Sequence, residues 1–257
     1  MNRVEKIKSY LLHPFFPNHC IACGKVLDYD KNICPVCDAY IERFPKEKRC
    51  LSCGFEQKRC HCRHAVYRFS SVIAPFYNKG VAKCGFYRYK LANRQGNAQF
   101  FAEAMLKSVK EEYGNIKFDG VVCVPASKKR MSKFGYSPPE QLAHYIAKQL
   151  GIPFFKKALK HRNSSSKQHT LSRAERFAAV RGEYERKIPL NNKTVLLVDD
   201  IMTTGATLDE CAKQLLLSGA EQVRCVTALI TDRDAPYNKR YAGKLMREAG
   251  VLTDKKI

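Results

Sequence analysis

The apolar positions of this chain follow two periods, and the points where one gives way to the other mark its elements. Tyr67 to Phe76 reads as a strand, closed by Asn78-Lys79-Gly80, and a helix is expected over Val81 to Tyr89. Phe100, Phe101, Ala104, Met105 and Val109 recur at helical spacing and predict a helix over Asn97 to Glu112. Val121 to Val124 is a buried strand, and Glu140 to Leu150 a helix stopped by Gly151 and Pro153. Val195 to Val198 is an unbroken apolar run, the pattern of a strand covered on both faces. A helix follows from Thr207 to Ser218, with Leu208, Cys211, Ala212, Leu215 and Leu216 inward and Gly219 as its stop; Val223 to Ile230 is the next strand. Strand, helix, strand in this order predicts an α/β fold with a parallel sheet and right-handed crossovers. Ahead of all this, residues 4–12 could form a short helix with Val4, Ile7, Leu11 and Leu12 on one side, ended by Pro14 and Pro17.

The cysteines change the picture at the N-terminal end. Of 12, eight lie between Cys20 and Cys62. Cys20 and Cys23, then Cys34 and Cys37, form two CxxC knuckles, and two such knuckles complete a tetrahedral zinc site of four thiolates. Redox-active CxxC is the competing reading, although such pairs usually stand alone at a helix start. Cys50, Cys53, Cys60 and Cys62 make a second group, whose last pair is CxC; His61 or His64 could replace one cysteine, and ligation could interleave between the groups. Zinc here would be structural, because so short a segment with few large apolar side chains needs a staple. Cys84, Cys123, Cys211 and Cys225 stand in apolar surroundings and read as small buried hydrophobes. The expected organisation is a helix and cysteine module over 1–64, a larger domain over 65–231 and a polar tail over 232–257.

With 45% hydrophobic residues the chain can build a core, which excludes general disorder. No apolar run is long enough to span a bilayer, and the N-terminus does not read as a signal peptide, so a cytoplasmic protein with no membrane span is expected. The net charge of +22 points to polyanionic partners. It is concentrated: Lys128 to Lys187 holds 15 basic residues against 4 acidic ones. A solvated surface would be the plain alternative. Phe86-Tyr87-Arg88-Tyr89-Lys90 interleaves aromatics with cations and could stack bases, or could be the amphipathic face of a core helix.

The chemistry concentrates after Val198. The buried strand is expected to stop at Asp199 and Asp200, and Thr203-Thr204-Gly205-Ala206-Thr207 then opens a helix. A Gly-containing turn at a helix N-terminus presents free N–H groups and the positive dipole end, so it binds phosphate, and the threonine hydroxyls add donors. Two carboxylates nearby suit the vicinal hydroxyls of a ribose, directly or through a divalent cation. Phosphate at one end and diol at the other describe a ribose 5-phosphate. A plain helix cap is the alternative.

VLLVDDIMTTGAT, residues 195–207, resembles the phosphoribosyl pyrophosphate signature of type I phosphoribosyltransferases. The whole chain resembles the ComF (ComFC) family of competence proteins, through its cysteine pairs, GFYRYK (Gly85 to Lys90), VPASKKRMSKFGYSPPEQLA (Val124 to Ala143), QHTLSRAERFAAVRG (Gln168 to Gly182) and the signature. That resemblance implies a type I phosphoribosyltransferase fold with a small zinc-ribbon-like module. It also implies a role in natural transformation through single-stranded DNA, with phosphoribosyl pyrophosphate and magnesium as ligands and other competence or helicase proteins as partners. Carried onto these residues, it makes Asp199 and Asp200 the catalytic pair and 203–207 the phosphate loop. Val124-Pro125-Ala126-Ser127 with Lys128, Lys129 and Arg130 becomes the pyrophosphate loop, with an exposed basic turn as the alternative. In an active transferase, Lys160 to Arg181 could act as a closing flap. The chain departs from the family at Phe134-Gly135-Tyr136-Ser137-Pro138, where Arg-Gly-Phe-Asn-Gln is usual, and at Ala179, where Asn is frequent. The second function class is an active phosphoribosyltransferase of nucleotide metabolism; a third is a regulatory domain that senses the ligand.

Overall fold

A computed structural model describes residues 17–60, 62, 66–92, 96–162, 173–231 and 243–244. The expected helix over 4–12, both histidines His61 and His64, the middle of the expected flap and nearly all of the tail lie outside the described residues.

The frame is a parallel sheet. β8 (Thr194–Met202) is paired on one side with β5 (Gly120–Cys123) and on the other with β9 (Gln222–Ile230). β9 in turn pairs with β3 (Ser71–Ile73) and β4 (Phe76–Tyr77). The strand expected over Tyr67 to Phe76 is therefore two short pieces, broken at Pro75, which has no N–H to give a ladder. The earlier strands β1 (Asn18–His19) and β2 (Val26–Leu27) form a small ribbon, and β6 (Leu159–His161) and β7 (Tyr184–Arg186) an antiparallel hairpin.

Side chains alternate across the sheet, and so do its two cores. Leu196, Val198, Val226 and Ala228 pack under α2 (Gly80–Ala92), α3 (Gly96–Tyr113) and α5 (Pro138–Leu150). Val195, Leu197, Val223 and Cys225 pack under α7 (Ala206–Leu217) through Leu208, Cys211, Ala212 and Leu215. Helices on both faces explain the unbroken apolar run of β8. α5 starts two residues earlier than expected because Pro138 and Pro139 suit its first turn and Ser137 caps it by accepting from the Glu140 N–H. Cys84, Cys123, Cys211 and Cys225 are all buried, as small hydrophobes would be. Among the described residues no helix is long and apolar enough to cross a membrane.

The cysteine segment, with its short helix α1 (Pro35–Tyr40), joins both cores. Cys20, Ile21, Cys34 and Cys37 pack with Phe86, Tyr89 and Phe101, while Phe44, Cys53 and Phe55 pack with Val72 and Tyr77. Polar contacts fasten it further. Arg49 makes two bonds of 2.5 and 2.6 Å to Glu112, a third of 2.9 Å to the Ala74 carbonyl, and lies over the Phe44 ring. The buried Glu42 carboxylate accepts from the Ala82 N–H at 3.1 Å and so caps α2; a Cβ on Gly80 would land on that carboxylate, and φ there is +45°. Burial pushes the Glu42 carboxyl up to about 7, against the pull of backbone N–H groups and Lys79.

Candidate functional site

β8 does not stop at the carboxylates. It runs through Asp199 and Asp200 to Met202, because β9 continues beside it and pairs Asp199 with Thr227 and Met202 with Ile230. Both acids are thus held in strand geometry and are buried, at 6% and 5% exposure, where carboxylates are expensive unless paired. The Asp200 N–H donates to Asp199 Oδ1 and the Ile201 N–H to Asp200 Oδ1. Lys90, from the last turn of α2, places its Nζ 2.5 Å from Asp200 Oδ2. Burial works to raise the Asp200 carboxyl, but Lys90 and Arg130 outweigh it and hold it below the usual range. Asp199 goes the other way: burial first, then the neighbouring Asp200 charge, pushes it well up, with Arg130 opposing.

Of the predicted cations, Arg130 has a charge that acts on both carboxylates. It does not sit on a loop. Lys128–Phe134 is a short helix, α4, whose N-cap is Ser127 and whose stop is Gly135 at φ +73°. The Ser127 hydroxyl, expected to hold pyrophosphate, accepts from the Arg130 N–H at 3.3 Å. Lys128, Lys129 and Arg130 are exposed and crowd the positive end of the helix dipole, an arrangement that is unfavourable until an anion arrives.

Thr203 to Thr207 follows β8 as expected and opens α7. Gly205 is its N-cap at φ +83°, the left-handed region that favours glycine, and no side chain caps the helix there. The Thr204 hydroxyl is 3.4 Å from the Ala206 N–H. Tyr67 leans over the loop, its hydroxyl donating to the Thr204 carbonyl at 3.2 Å and its ring stacked on Phe69. Phe177 of α6 (Arg173–Val180) approaches that ring, so this helix borders the cradle. Ala179 lies on this helix, half-buried.

Lys90 beside Asp200, Tyr184 within reach of the Asp199 charge, and His161 against Tyr184 have no site role in the sequence pattern. Lys90 stood there within GFYRYK and at the end of the Phe86–Lys90 run, and of that run's two readings the core-helix face holds: Phe86 and Tyr89 are fully buried, so they cannot stack on a strand of DNA. A lysine four residues after Phe86, on the inward side of a helix, was the available signal. His161 and Tyr184, facing each other across the β6–β7 hairpin with rings 5.0 Å apart, were not singled out. Burial lowers His161, against Glu183 at 3.8 Å, and Arg130 adds to the lowering. The departing Tyr136 supports α2, its hydroxyl donating to the Tyr89 carbonyl at 2.5 Å.

The cysteines close into two groups in sequence order, Cys20, Cys23, Cys34 and Cys37, then Cys50, Cys53, Cys60 and Cys62, each with sulfurs within 4.8 Å of one another. Interleaved ligation is excluded by this geometry. Cys23 and Cys34 are 3.8 Å apart, as are Cys53 and Cys60, and Cys50 and Cys62 3.7 Å. Four sulfurs at about 2.3 Å from a tetrahedral ion would stand about 3.8 Å apart. Backbone N–H groups of Cys34 and Cys37 point at Cys20 and Cys34 sulfurs, which favours thiolate. The Cys20 thiol is pulled down to about 4, chiefly by its bond with Cys37. Each group could hold zinc.

A family model described as the phosphoribosyl transferase domain matches residues 97–248. Competence protein F of Haemophilus influenzae is 26% identical over 223 residues, 82% of this chain and 96% of that protein. DNA utilization protein YhgH of Escherichia coli O157:H7 is 23% identical over 208 residues, 80% of this chain and 87% of that protein. Among solved structures, a purine phosphoribosyltransferase from Pyrococcus horikoshii is 15% identical, covering 52% of this chain and 85% of that one at a TM-score of 0.35. The resemblance to competence proteins read from the motifs is thus found again over most of the chain.

Proposed function

The chain belongs to the phosphoribosyl transferase domain family, and from that premise we propose that it binds phosphoribosyl pyrophosphate in the cradle and single-stranded DNA on its basic face, in the service of DNA uptake. What carries the first part is one juxtaposition: a helix N-terminus whose cap is Gly205, behind a threonine loop, directly after a buried carboxylate pair under the charge of Arg130. The first-turn N–H groups and the hydroxyls of Thr203, Thr204 and Thr207 take the 5-phosphate. Asp199 and Asp200 face the ribose diol. Arg130, Lys128 and Lys129 bring positive charge to the pyrophosphate end. The competence and DNA-utilization roles belong by name to the two relatives, and the +22 charge supports extending them here.

The two cysteine groups hold structural zinc, which supplies a rigid thiolate-bound node and no chemistry of its own. Magnesium is a different case. Asp200 has Oδ2 on Lys90 and Oδ1 on the Ile201 N–H, and Asp199 Oδ1 is taken by the Asp200 N–H. With an ammonium already on Asp200 and the Arg130 charge acting on both acids, the pair does not fit a divalent ion bound directly to it, whereas a ribose hydroxyl can still donate to the remaining lone pairs; no step is derived through an ion.

The experiment is calorimetry with phosphoribosyl pyrophosphate on wild type and on Thr203→Ala with Thr207→Ala. Neither residue is buried, so the fold should hold, while hydrogen bonds to a charged phosphate are lost and affinity falls about tenfold or more. Unchanged affinity in that variant would reject the cradle. Active transfer is the second reading, favoured by the Arg130 charge acting on both carboxylates, since a pyrophosphate leaving group needs a cation nearby. Release of pyrophosphate on adding a base distinguishes it from binding alone.

A further inference from the structure

Lys90 turns its charge inward, onto a carboxylate. Its side chain is 16% exposed and Asp200's is 7%, so the pair has given up most of its hydration. Such a pair persists only with close geometry and full hydrogen bonding, and both are present: the ammonium sits on Oδ2 while a backbone N–H holds Oδ1. The lysine is also aimed from behind. Tyr89, its neighbour, is fixed by a 2.6 Å bond from its hydroxyl to Gln141, and its carbonyl receives the Tyr136 hydroxyl. A dication placed on the same carboxylates would meet one ammonium at contact distance and the Arg130 charge beyond it.

We propose that Lys90 supplies, from within the protein, the positive charge that a divalent cation would bring to the Asp199–Asp200 pair, so that the cradle takes a ribose 5-phosphate without a metal ion on its carboxylates. This rests on the sugar-phosphate reading above and adds to it a definite ligand form. The ammonium fixes one carboxylate as an anionic acceptor for a ribose hydroxyl and neutralises it against the incoming phosphate. Lys90 is thus a positioning residue that acts through Asp200.

Calorimetry with ribose 5-phosphate tests this, in buffer freed of divalent ions by resin, because a chelator would strip the cysteine sites. Wild type should bind equally well with and without millimolar magnesium. Lys90→Met should lose about tenfold in affinity without magnesium and regain it when magnesium is added, since an ion could then occupy the vacated place. Lys90→Arg, which keeps the charge, should remain insensitive to magnesium. Manganese added alone gives a second readout: its electron paramagnetic resonance signal should stay that of the free ion with wild type. If Lys90→Met does not fold, the wild-type magnesium and manganese results still decide. Wild-type affinity that rises about tenfold with magnesium, or manganese captured by wild type and lost in Asp200→Asn, would overturn the proposal while leaving the sugar-phosphate site standing. No ribose 5-phosphate binding under any condition would overturn that reading and this one with it.

Discussion

Changing Lys128, Lys129 and Arg130 together to alanine is the sharpest test of the DNA surface, because the structure separates binding from stability there. The three residues occupy the first turn of α4, where the helix dipole disfavours cations by about 0.3–1 kcal/mol each. Alanine is the better helix former, and the Ser127 cap and Gly135 stop remain, so the helix should hold, the one cost to stability being the Arg130 charge lost from the buried Asp199–Asp200 pair. Binding is another matter. Elsewhere on this face Lys160, Arg162 and Lys187 are shared by Glu185, and Lys156 is paired with Glu140, so they offer less charge to a partner. If single-stranded DNA contacts phosphates here, log affinity falls linearly with log salt, at about −0.7 per phosphate. A footprint of about five phosphates gives a slope near −3.5, and losing three contacts should make it shallower by about 2. Fluorescence anisotropy with unrelated oligonucleotides over a salt series measures this, and the loss should be alike on every sequence. Lys107→Ala, on the exposed side of α3, is the control and should leave the slope alone. A slope unchanged by the triple variant, or no binding at low salt, would refute the reasoning. DNA affinity preserved with phosphoribosyl pyrophosphate affinity lost would assign the three cations to the pyrophosphate instead.

Elemental analysis of protein dialysed without chelator should find two zinc ions per chain, and Cys34→Ser or Cys53→Ser should each remove one and lower the melting temperature. Glu112→Ala should cost about 3–5 kcal/mol by orphaning the buried Arg49, whereas Arg49→Met with Glu112→Leu should be near neutral; urea unfolding of the cycle measures the coupling. Glu42 has a folded-state carboxyl raised from 4.5 to about 7, so the folded protein binds the extra proton and stability falls as pH rises through that window. Between pH 6 and 8 the loss should be about 1 kcal/mol, and Glu42→Gln, which still accepts from the Ala82 N–H, should abolish it in denaturant midpoints.

The parts legible in the sequence were those set by local periodicity or by a motif whose chemistry is short-range. The apolar run of Val195 to Val198, the stripe of Leu208 to Leu216 and the paired cysteines each carry their own pattern, and the structure places them accordingly. The extension of β8 through two aspartates was hidden because acids are poor strand formers; only the neighbouring β9 ladder decides it. α4 was hidden for a related reason. Three cations in a first turn argue against a helix, although the Ser127 cap and Gly135 stop were both present to be read. Arg49 and Glu112 meet across 63 residues, a pairing that no window of local sequence contains.

GFYRYK joins these levels, and its spacing explains how. Arg88 and Lys90 are two residues apart on α2, so their side chains leave the helix about 200° apart. Arg88 donates at 2.7 Å to the carbonyl of Ala22, inside the first knuckle, while Lys90 reaches Asp200. Gly85 lies on the knuckle side as well: a Cβ there would come within 3.2 Å of Ile21 Cδ1, so knuckle and helix already pack closely at this position. The cysteine group is therefore part of how the cradle is built. It sets where α2 lies, and α2 sets where the ammonium meets the carboxylate.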